Sequence, residues 1–576
     1  MDLREGEDPN PGLGPGWRHN VGGAEAPEET EMGEYVPNEE QQAVHDDVES
    51  GEGNTVVSAR AGVGKTATIK SALHLVDTDR ESTILVAFSS DIQVALSRGL
   101  PPKVECRTLH SLGLGACYKA FGGSFKGVDK ERGLRIAREV SGADQSQRGR
   151  DYAWSLKEVV SRCKATLSRT PGDVDDVIRL MLPDHPEDPS WVMQCATCDR
   201  QEPMVNDAYA PTPGREVLPY PAPCGHAGCK GRMFRVWHDP RPKFIEHVLA
   251  CLERSTYDMH PADVPGEPEE RGFPRSADFD DMCWLPVAMG LKMKKYTRVF
   301  VDEAQDLSSG QVQLVMGSLA RGGRIFAVGD PFQGIFAFRG AGRGVLERMK
   351  QEIHAKELKM TTTYRCGRAI VREAQKLVPD FQAAPGQHEG EVEDWVPPAR
   401  MAREARAGDF ILSRTNAPLM RLCLGFLREG RRANIKGRDI GKKLSALVRR
   451  SKAETVERLD AWVAGWAAKE SERLLAKGES DAIVQDTRAC LQVLMEGMVT
   501  VEVVQQQIER MFSDDDDLQR ITLSTTHRAK GLERDRVWLL RDTYMRFNQG
   551  DEQERNLLYV GITRAIHNLY LVRGAA

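Results

Sequence analysis

No run of about 18 apolar residues occurs anywhere in the 576-residue chain, so the sequence holds no membrane-spanning helix. An apolar signal region is also missing: the first residues form a Gly/Pro/Glu-rich stretch that reads as a disordered tail. No internal repeat is visible, which argues against a solenoid or propeller. A basic excess is absent too, since the net charge is −6. That figure is unevenly spread. Residues 1–34 carry nine acidic and two basic side chains, which leaves the other 542 residues near neutrality. A mildly acidic total does not exclude a nucleic-acid partner, because a motor grips phosphates in a lined channel and not over its whole surface. Twelve cysteines, mostly scattered in apolar stretches, suit a reducing compartment, and a cytoplasmic (intracellular) location is expected. Length and a 40% hydrophobic content indicate more than one domain, each with a real core.

Two short stretches carry chemistry. Ala59-Arg60-Ala61-Gly62-Val63-Gly64-Lys65-Thr66 follows a β-branched run, Thr55–Ser58, and precedes a helical stretch, Ala67–Val76. Strand, glycine loop and helix in that order make a phosphate-binding loop in a parallel sheet. Backbone N–H groups of Ala61, Gly62, Val63 and Gly64 can approach phosphates, Lys65 reaches their β/γ oxygens, and the Thr66 hydroxyl suits Mg²⁺. The strict pattern has Gly where Ala59 stands, and a small residue still fits. The second stretch, Arg298-Val-Phe-Val-Asp-Glu-Ala-Gln-Asp306, places Asp302 and Glu303 at the end of an apolar strand. Asp302 suits Mg²⁺, and Glu303 is placed to orient or deprotonate a water.

Lys65 and Asp302 stand 237 positions apart, more than one nucleotide-binding sheet needs, so an insertion is expected over 116–270. A second α/β pattern is expected to begin near Leu358, with strands at Asp409–Ser413, Ile521–Ser524 and Arg536–Leu540. Between them Leu444, Leu447, Val448, Val456, Leu459, Val463 and Trp466 recur at helical spacing. The expected division is a tail over 1–34, an ATP-binding lobe over 35–115 plus 271–345, and the insertion over 116–270. A second lobe then covers 346–434 plus 515–576, and a short helical insertion covers 435–514.

Further stretches extend the pattern in a fixed order: Pro37-Asn38-Glu39-Glu40-Gln41, Ala87-Phe88-Ser89-Ser90, Thr108-Leu109-His110-Ser111, Gly329 to Ala341, Tyr364-Arg365-Cys366, Thr525 to Glu533, and Tyr559 to Ala565. In content and order the chain resembles the UvrD/Rep/PcrA-type helicases of superfamily 1. The resemblance implies an α/β fold with two RecA-like P-loop domains that clamp ATP between them, here with a Cys-rich inserted subdomain and a small helical insertion. It implies that Gln41, or its neighbour Gln42, contacts adenine, that Tyr364 stacks on it, and that Glu533 meets the ribose. Gln333 senses the γ-phosphate, and Arg365 and Arg564 act as arginine fingers whose planar forks suit phosphate oxygens. Phe88, Phe336 and Phe338 are candidate base-stacking residues, while Arg339, Thr108, His110 and Thr526 are candidates for phosphate contact or for shaping the channel.

Cys195-x₂-Cys198 and, 25 residues later, Cys224-Gly-His-Ala-Gly-Cys229 form two short knuckles whose four thiolates suit a closed structural zinc site within 191–238, with His226 as an alternate ligand. This pair is not a general feature of the helicases named above. The expected function is an ATP- and Mg²⁺-dependent DNA helicase or single-strand translocase, with 3′→5′ polarity implied by the resemblance. Its expected partners are single-stranded or tailed duplex DNA, with a protein docked on the zinc module or acidic tail as a further candidate. The region before Thr525 is short for the family, and the chain stops twelve residues after Arg564. An ATP-gated DNA-binding or loading factor that needs a partner therefore stays open as the alternative.

Overall fold

In the computed structural model the described residues are 36–574, apart from 145–146, 182–189, 196–200, 204–221, 224–231, 239–240, 258–273, 336–343, 476–480, 515–516 and 546–551. The expected acidic tail, residues 1–34, lies outside them. Two six-stranded sheets organise the chain. In the first, the strand order is 356–360, 55–59, 319–329, 296–301, 83–87, 105–108, and every neighbouring pair is parallel. In the second, the order is 391–396, 565–572, 534–540, 410–413, 521–525, 433–435, again parallel throughout. Parallel sheets are covered on both faces, so their strands read as apolar runs without alternation. Thr55–Ala59, Thr83–Ala87 and Phe410–Ser413 are buried at every position.

The strand order aims the first sheet's loops. The strand ending at Gly329 lies between the one ending at Ala59 and the one ending at Val301. The glycine loop, Asp302–Glu303 and Asp330–Gln333 therefore leave the sheet at the same carboxyl edge, where open α/β sheets bind ligands.

The boundary expected near 346 needs correction. Lys356–Met360, expected to open the second α/β pattern, instead pairs with Thr55–Ala59 as the edge strand of the first sheet. Register, and not chain order, decides sheet membership. The crossover helix Val345–Glu352 returns the chain to the edge beside the phosphate-loop strand before it leaves for the second lobe.

The stretch 116–270 is more organised than its polar composition implied. Helices Arg132–Ser141, Gln147–Thr166, Pro171–Met181 and Arg241–Arg254 share an apolar core built on Phe121, Leu156, Val159, Phe244 and Val248. A four-stranded antiparallel sheet, in the order 201–203, 190–195, 232–238, 222–223, lies within it. In the second lobe, helices Arg438–Ser451, Val456–Leu475, Ala482–Met495 and Val501–Met511 do not form a separate body. Leu444, Leu459, Leu491 and Val504 join one core with Ile411, Leu523 and Trp538 of the second sheet.

A buried ionic cluster ties the inserted helices to Phe279–Ala288. Asp281 is fully buried, accepts from Lys164 Nζ at 2.7 Å, and pairs with Arg132. Burial pushes its carboxyl up, but the Lys164 and Arg132 charges outweigh that and hold it below the usual range. Removing one partner strands two buried cations, which costs about 3–5 kcal/mol. Asp281→Ala is expected to destabilise the first lobe by that amount, read as a lower denaturation midpoint in a urea titration.

Candidate functional site

The loop between Ala59 and Lys65 bends through two left-handed glycines, Gly62 (φ 68°) and Gly64 (φ 81°). A side chain at Gly62 would also collide with Arg365 and Thr363, whose atoms lie 2.5 and 2.6 Å from where its Cβ would stand. Lys65 opens the helix Lys65–Leu73, and with Gly62, Gly64 and Thr66 it lines a cavity of about 640 Å³. Helix N-termini of this kind present free N–H groups to anions.

Asp302 and Glu303 form another part of the cavity wall. Glu303 adopts a left-handed backbone (φ 51°, ψ 41°), which costs a non-glycine residue energy and recurs at functional sites. Its N–H donates to Asp302 Oδ1 at 2.9 Å, and its carboxylate lies 3.8 Å from Lys65 Nζ. The two carboxyls are driven apart. Burial, reinforced by the Glu303 charge, pushes Asp302 above the usual carboxylate range. Burial also acts on Glu303, but Lys65 and Lys530 overcome it and hold that group well below the range. Glu303 is thus the committed anion, while Asp302 is a buried carboxyl short of positive charge.

The remaining walls come from the second lobe. Arg365, Lys530 and Arg564 all line the same cavity. Arg564 is fully buried and donates only to neutral oxygens: Val560 O at 3.0 Å, Leu532 O at 3.1 Å and Thr563 Oγ1 at 3.3 Å. Burial, with the nearby Arg365 charge, pulls it down to about 10, so it keeps its proton at neutral pH. Lys530 reaches back across the lobes to Asp306 at 2.6 Å and to Gln333 O at 2.8 Å. Gln333 itself lines the cavity and donates to Asp330 at 2.6 Å.

Other expected site residues are engaged elsewhere. Both polar ends of Gln41 are occupied, by Asn38 N–H at 3.0 Å and by Val63 O at 3.1 Å, so in this state it braces the phosphate loop. Tyr364, 47% exposed, donates its N–H to Gly62 O at 2.9 Å and accepts from Asn38 at 2.7 Å. Glu533 pairs with Arg365. Ala61 and Val63 are buried, and the Ala61 N–H donates to Tyr559 at 3.1 Å. Phe88 lines the nucleotide-sized cavity and also a second one, in which His110 takes part. Thr108 caps the helix Leu109–Phe121. Thr526, a candidate for phosphate contact or for shaping the channel, is fully buried, and its hydroxyl is bonded to Tyr544 inside the lobe. Phe336, Phe338 and Arg339 lie outside the described residues, as do Cys198, Cys224, Cys229 and the side chain of Cys195. No metal-binding group of acidic, His or Cys side chains occurs among the described residues.

Sequence reasoning missed Arg60, Asp306, Lys530 and Tyr559. The last three stand inside the quoted motifs, where a charged or phenolic residue flanking a named one was the available signal. Arg60 is a long cation in a loop that favours small residues. It donates to both oxygens of Asp380 in the second lobe at 2.9 and 2.6 Å, bonds Ser58 at 3.0 Å, and covers the Phe332 ring at 4.7 Å.

The UvrD/REP helicase N-terminal domain family matches residues 238–354, and the UvrD-like helicase C-terminal domain family matches residues 520–572. The first match holds Asp302, Glu303 and Gln333; the second holds Lys530, Glu533 and Arg564. Over these two ranges the chain carries UvrD/REP-like helicase domains. The phosphate loop precedes both matched ranges, yet Thr55–Ala59 pairs in parallel with the matched strand 319–329, so it is built into the same sheet.

Arg60 and Asp380 meet by a two-pronged, charge-assisted contact whose acid is partly exposed. In a double-mutant cycle on Arg60→Ala and Asp380→Ala, the two losses of stability are expected to be non-additive by about 1 kcal/mol, measured by denaturant unfolding. Strict additivity contradicts the inter-lobe contact.

Proposed function

We propose that this chain is an ATP-driven motor that moves 3′→5′ on single-stranded DNA and separates duplex ahead of it. The observation that carries the reading is the meeting of Lys65 from one lobe and Arg365 and Arg564 from the other on a single cavity that also holds Asp302 and Glu303. Four cations, Lys65, Arg365, Lys530 and Arg564, face three carboxyls, Asp302, Glu303 and Asp306, on that cavity, and a triphosphate supplies the missing negative charge.

The donor set also fits a hard divalent cation: the Thr66 hydroxyl and the positively undercompensated Asp302 carboxyl are both oxygen ligands on one cavity. Bound Mg²⁺ supplies charge neutralisation of the β- and γ-phosphates. The chain's own groups do the rest. Lys65 holds the terminal phosphate oxygens. Glu303, kept ionised, orients the attacking water and takes its proton. Arg365 and Arg564 neutralise charge on the transferring group, Arg365 after exchanging Glu533 for phosphate. Since the fingers belong to one lobe and the loop to the other, ATP favours the closed pair and product release favours opening. The grip on the strand alternates with it. Gln41 and Tyr364 flank the loop, where an adenine can exchange for their present bonds.

Single-stranded DNA is expected to stimulate ATP hydrolysis, and Lys65→Ala to abolish it. Glu303→Gln is expected to lower kcat by roughly 10²–10⁴ while ATP still binds. Duplexes with a 3′ or a 5′ tail, followed by strand displacement, test the direction. Hydrolysis with no displacement of either substrate favours the partner-dependent loading factor.

We also infer that the insertion carries one structural zinc on Cys195, Cys198, Cys224 and Cys229. Strand register supports this. Met233 pairs with Cys195 on one side and with Ala222 on the other, so the two segments that lead into the cysteine knuckles leave the sheet at one end. Metal analysis of the purified protein is expected to give one zinc per chain, lost in a Cys195→Ser, Cys224→Ser double variant. An absence of zinc under reducing, chelator-free purification overturns the assignment.

A further inference from the structure

Arg60 puts a long cation into a phosphate loop whose neighbouring positions, Ala59, Ala61, Gly62 and Gly64, are small. It stands where the chain crosses between the lobes. Its backbone N–H donates to Met360 O at 2.8 Å, on the last residue of the first sheet's edge strand. Its side chain takes hold on the other side of the crossing, where Nε and Nη2 donate to the two oxygens of Asp380. Val378 and Phe381, close to Asp380 in the chain, are buried in the second sheet's core with Phe410 and Val537, so Asp380 moves with that lobe.

The rest of the guanidinium faces the turn that carries Gln333. Nη1 donates to Ser58 at 3.0 Å and lies 4.0 Å from Asp330 Oδ1, while Cζ stands 4.7 Å over the centre of the Phe332 ring. Asp330 and Phe332 belong to the short turn around Pro331–Gln333, which delivers Gln333 to the nucleotide cavity. Asp330 is fully buried and anchors that turn. Its carboxylate accepts from Gln333 Nε2 at 2.6 Å, from the Phe332 N–H at 3.1 Å and from the Tyr559 hydroxyl at 3.4 Å. Burial pushes the Asp330 carboxyl up, and the charges of Lys65 and Arg60 oppose the rise. Lys65 turns to the phosphates when ATP binds, which leaves Arg60 as the standing counter-charge.

We propose that Arg60 is a positioning residue for hydrolysis: it ties Asp380 of the second lobe to Asp330 and Phe332, and so holds Gln333 in its working place only while the lobes are together. With Asp380 present, two of the guanidinium's donor groups are spent on it, and Asp330 keeps its short bond to Gln333. When the lobes part, a buried guanidinium that has lost one acid turns to the other, Asp330, and competes with Gln333 for that carboxylate. The proposal rests on the ATP-driven motor reading above and adds to it a side chain to which that reading gives no role.

The test is steady-state ATP hydrolysis by the full chain with saturating oligo(dT), with kcat and the KM for ATP measured separately. Arg60→Gln is expected to lower kcat about tenfold while KM changes by less than about twofold, because a misplaced Gln333 affects the transition state more than the binding of ATP. In a Gln333→Ala background the same substitution is expected to cost less than about twofold in kcat, since its effect runs through Gln333. Wild-type kcat in Arg60→Gln, or a tenfold loss repeated in full on top of Gln333→Ala, overturns the proposal and leaves the motor reading intact. A wild-type chain that hydrolyses no ATP with oligo(dT) overturns both. If denaturant unfolding shows that Arg60→Gln does not fold, Asp380→Asn decides, at a carboxylate that is partly exposed. It is expected to lower kcat severalfold with KM unchanged, and wild-type kcat there overturns the proposal.

Discussion

A pair of adjacent carboxyls at the end of one strand, Asp302 buried and Glu303 half-buried, is tolerable only when cations surround it, and here those cations come from two lobes. Asp302 and Glu303 sit at the carboxyl edge of the first sheet with Lys65 beside them, while Lys530 and Arg564 approach from the second sheet's side. Taking any of these charges from water is costly unless it is matched. The lobes are therefore held face to face by electrostatics at the cleft, reinforced by the Arg60–Asp380 contact and the Ala61–Tyr559 hydrogen bond. The same balance makes the cleft responsive: a triphosphate entering it changes which charges are matched, and hence how tightly the lobes close.

The insertions acquire meaning from this arrangement. The helical part of 116–270 packs on Phe279–Ala288 through Asp281, and Arg162 and Trp284 line a cavity that adjoins the one around Lys65. The helices over 438–511 share one apolar core with the second sheet.

Much of the cleft was legible in the sequence, for a physical reason. A phosphate loop needs glycines at left-handed positions, and an acidic pair must follow an apolar strand, so both leave marks in a short stretch of residues. Strands such as Phe410–Ser413 and Ile521–Thr525 were equally plain, because parallel strands buried on both faces are continuous apolar runs. What depends on partners far along the chain was not legible. Lys356–Met360 reads like the start of a new pattern, yet its register joins it to Thr55–Ala59. Thr526 lies in a motif that suggests strand contact, and its burial against Tyr544 shows only in three dimensions.

The central claim is that one nucleotide in the cleft controls the hold on DNA. Its most direct measurement compares the affinity of the chain for a labelled oligo(dT) in the presence of a non-hydrolysable ATP analogue, ADP, or no nucleotide. The account predicts severalfold differences among the three states, which vanish in Arg564→Ala although that variant still binds nucleotide. Equal affinity in all three states of the wild-type chain contradicts it.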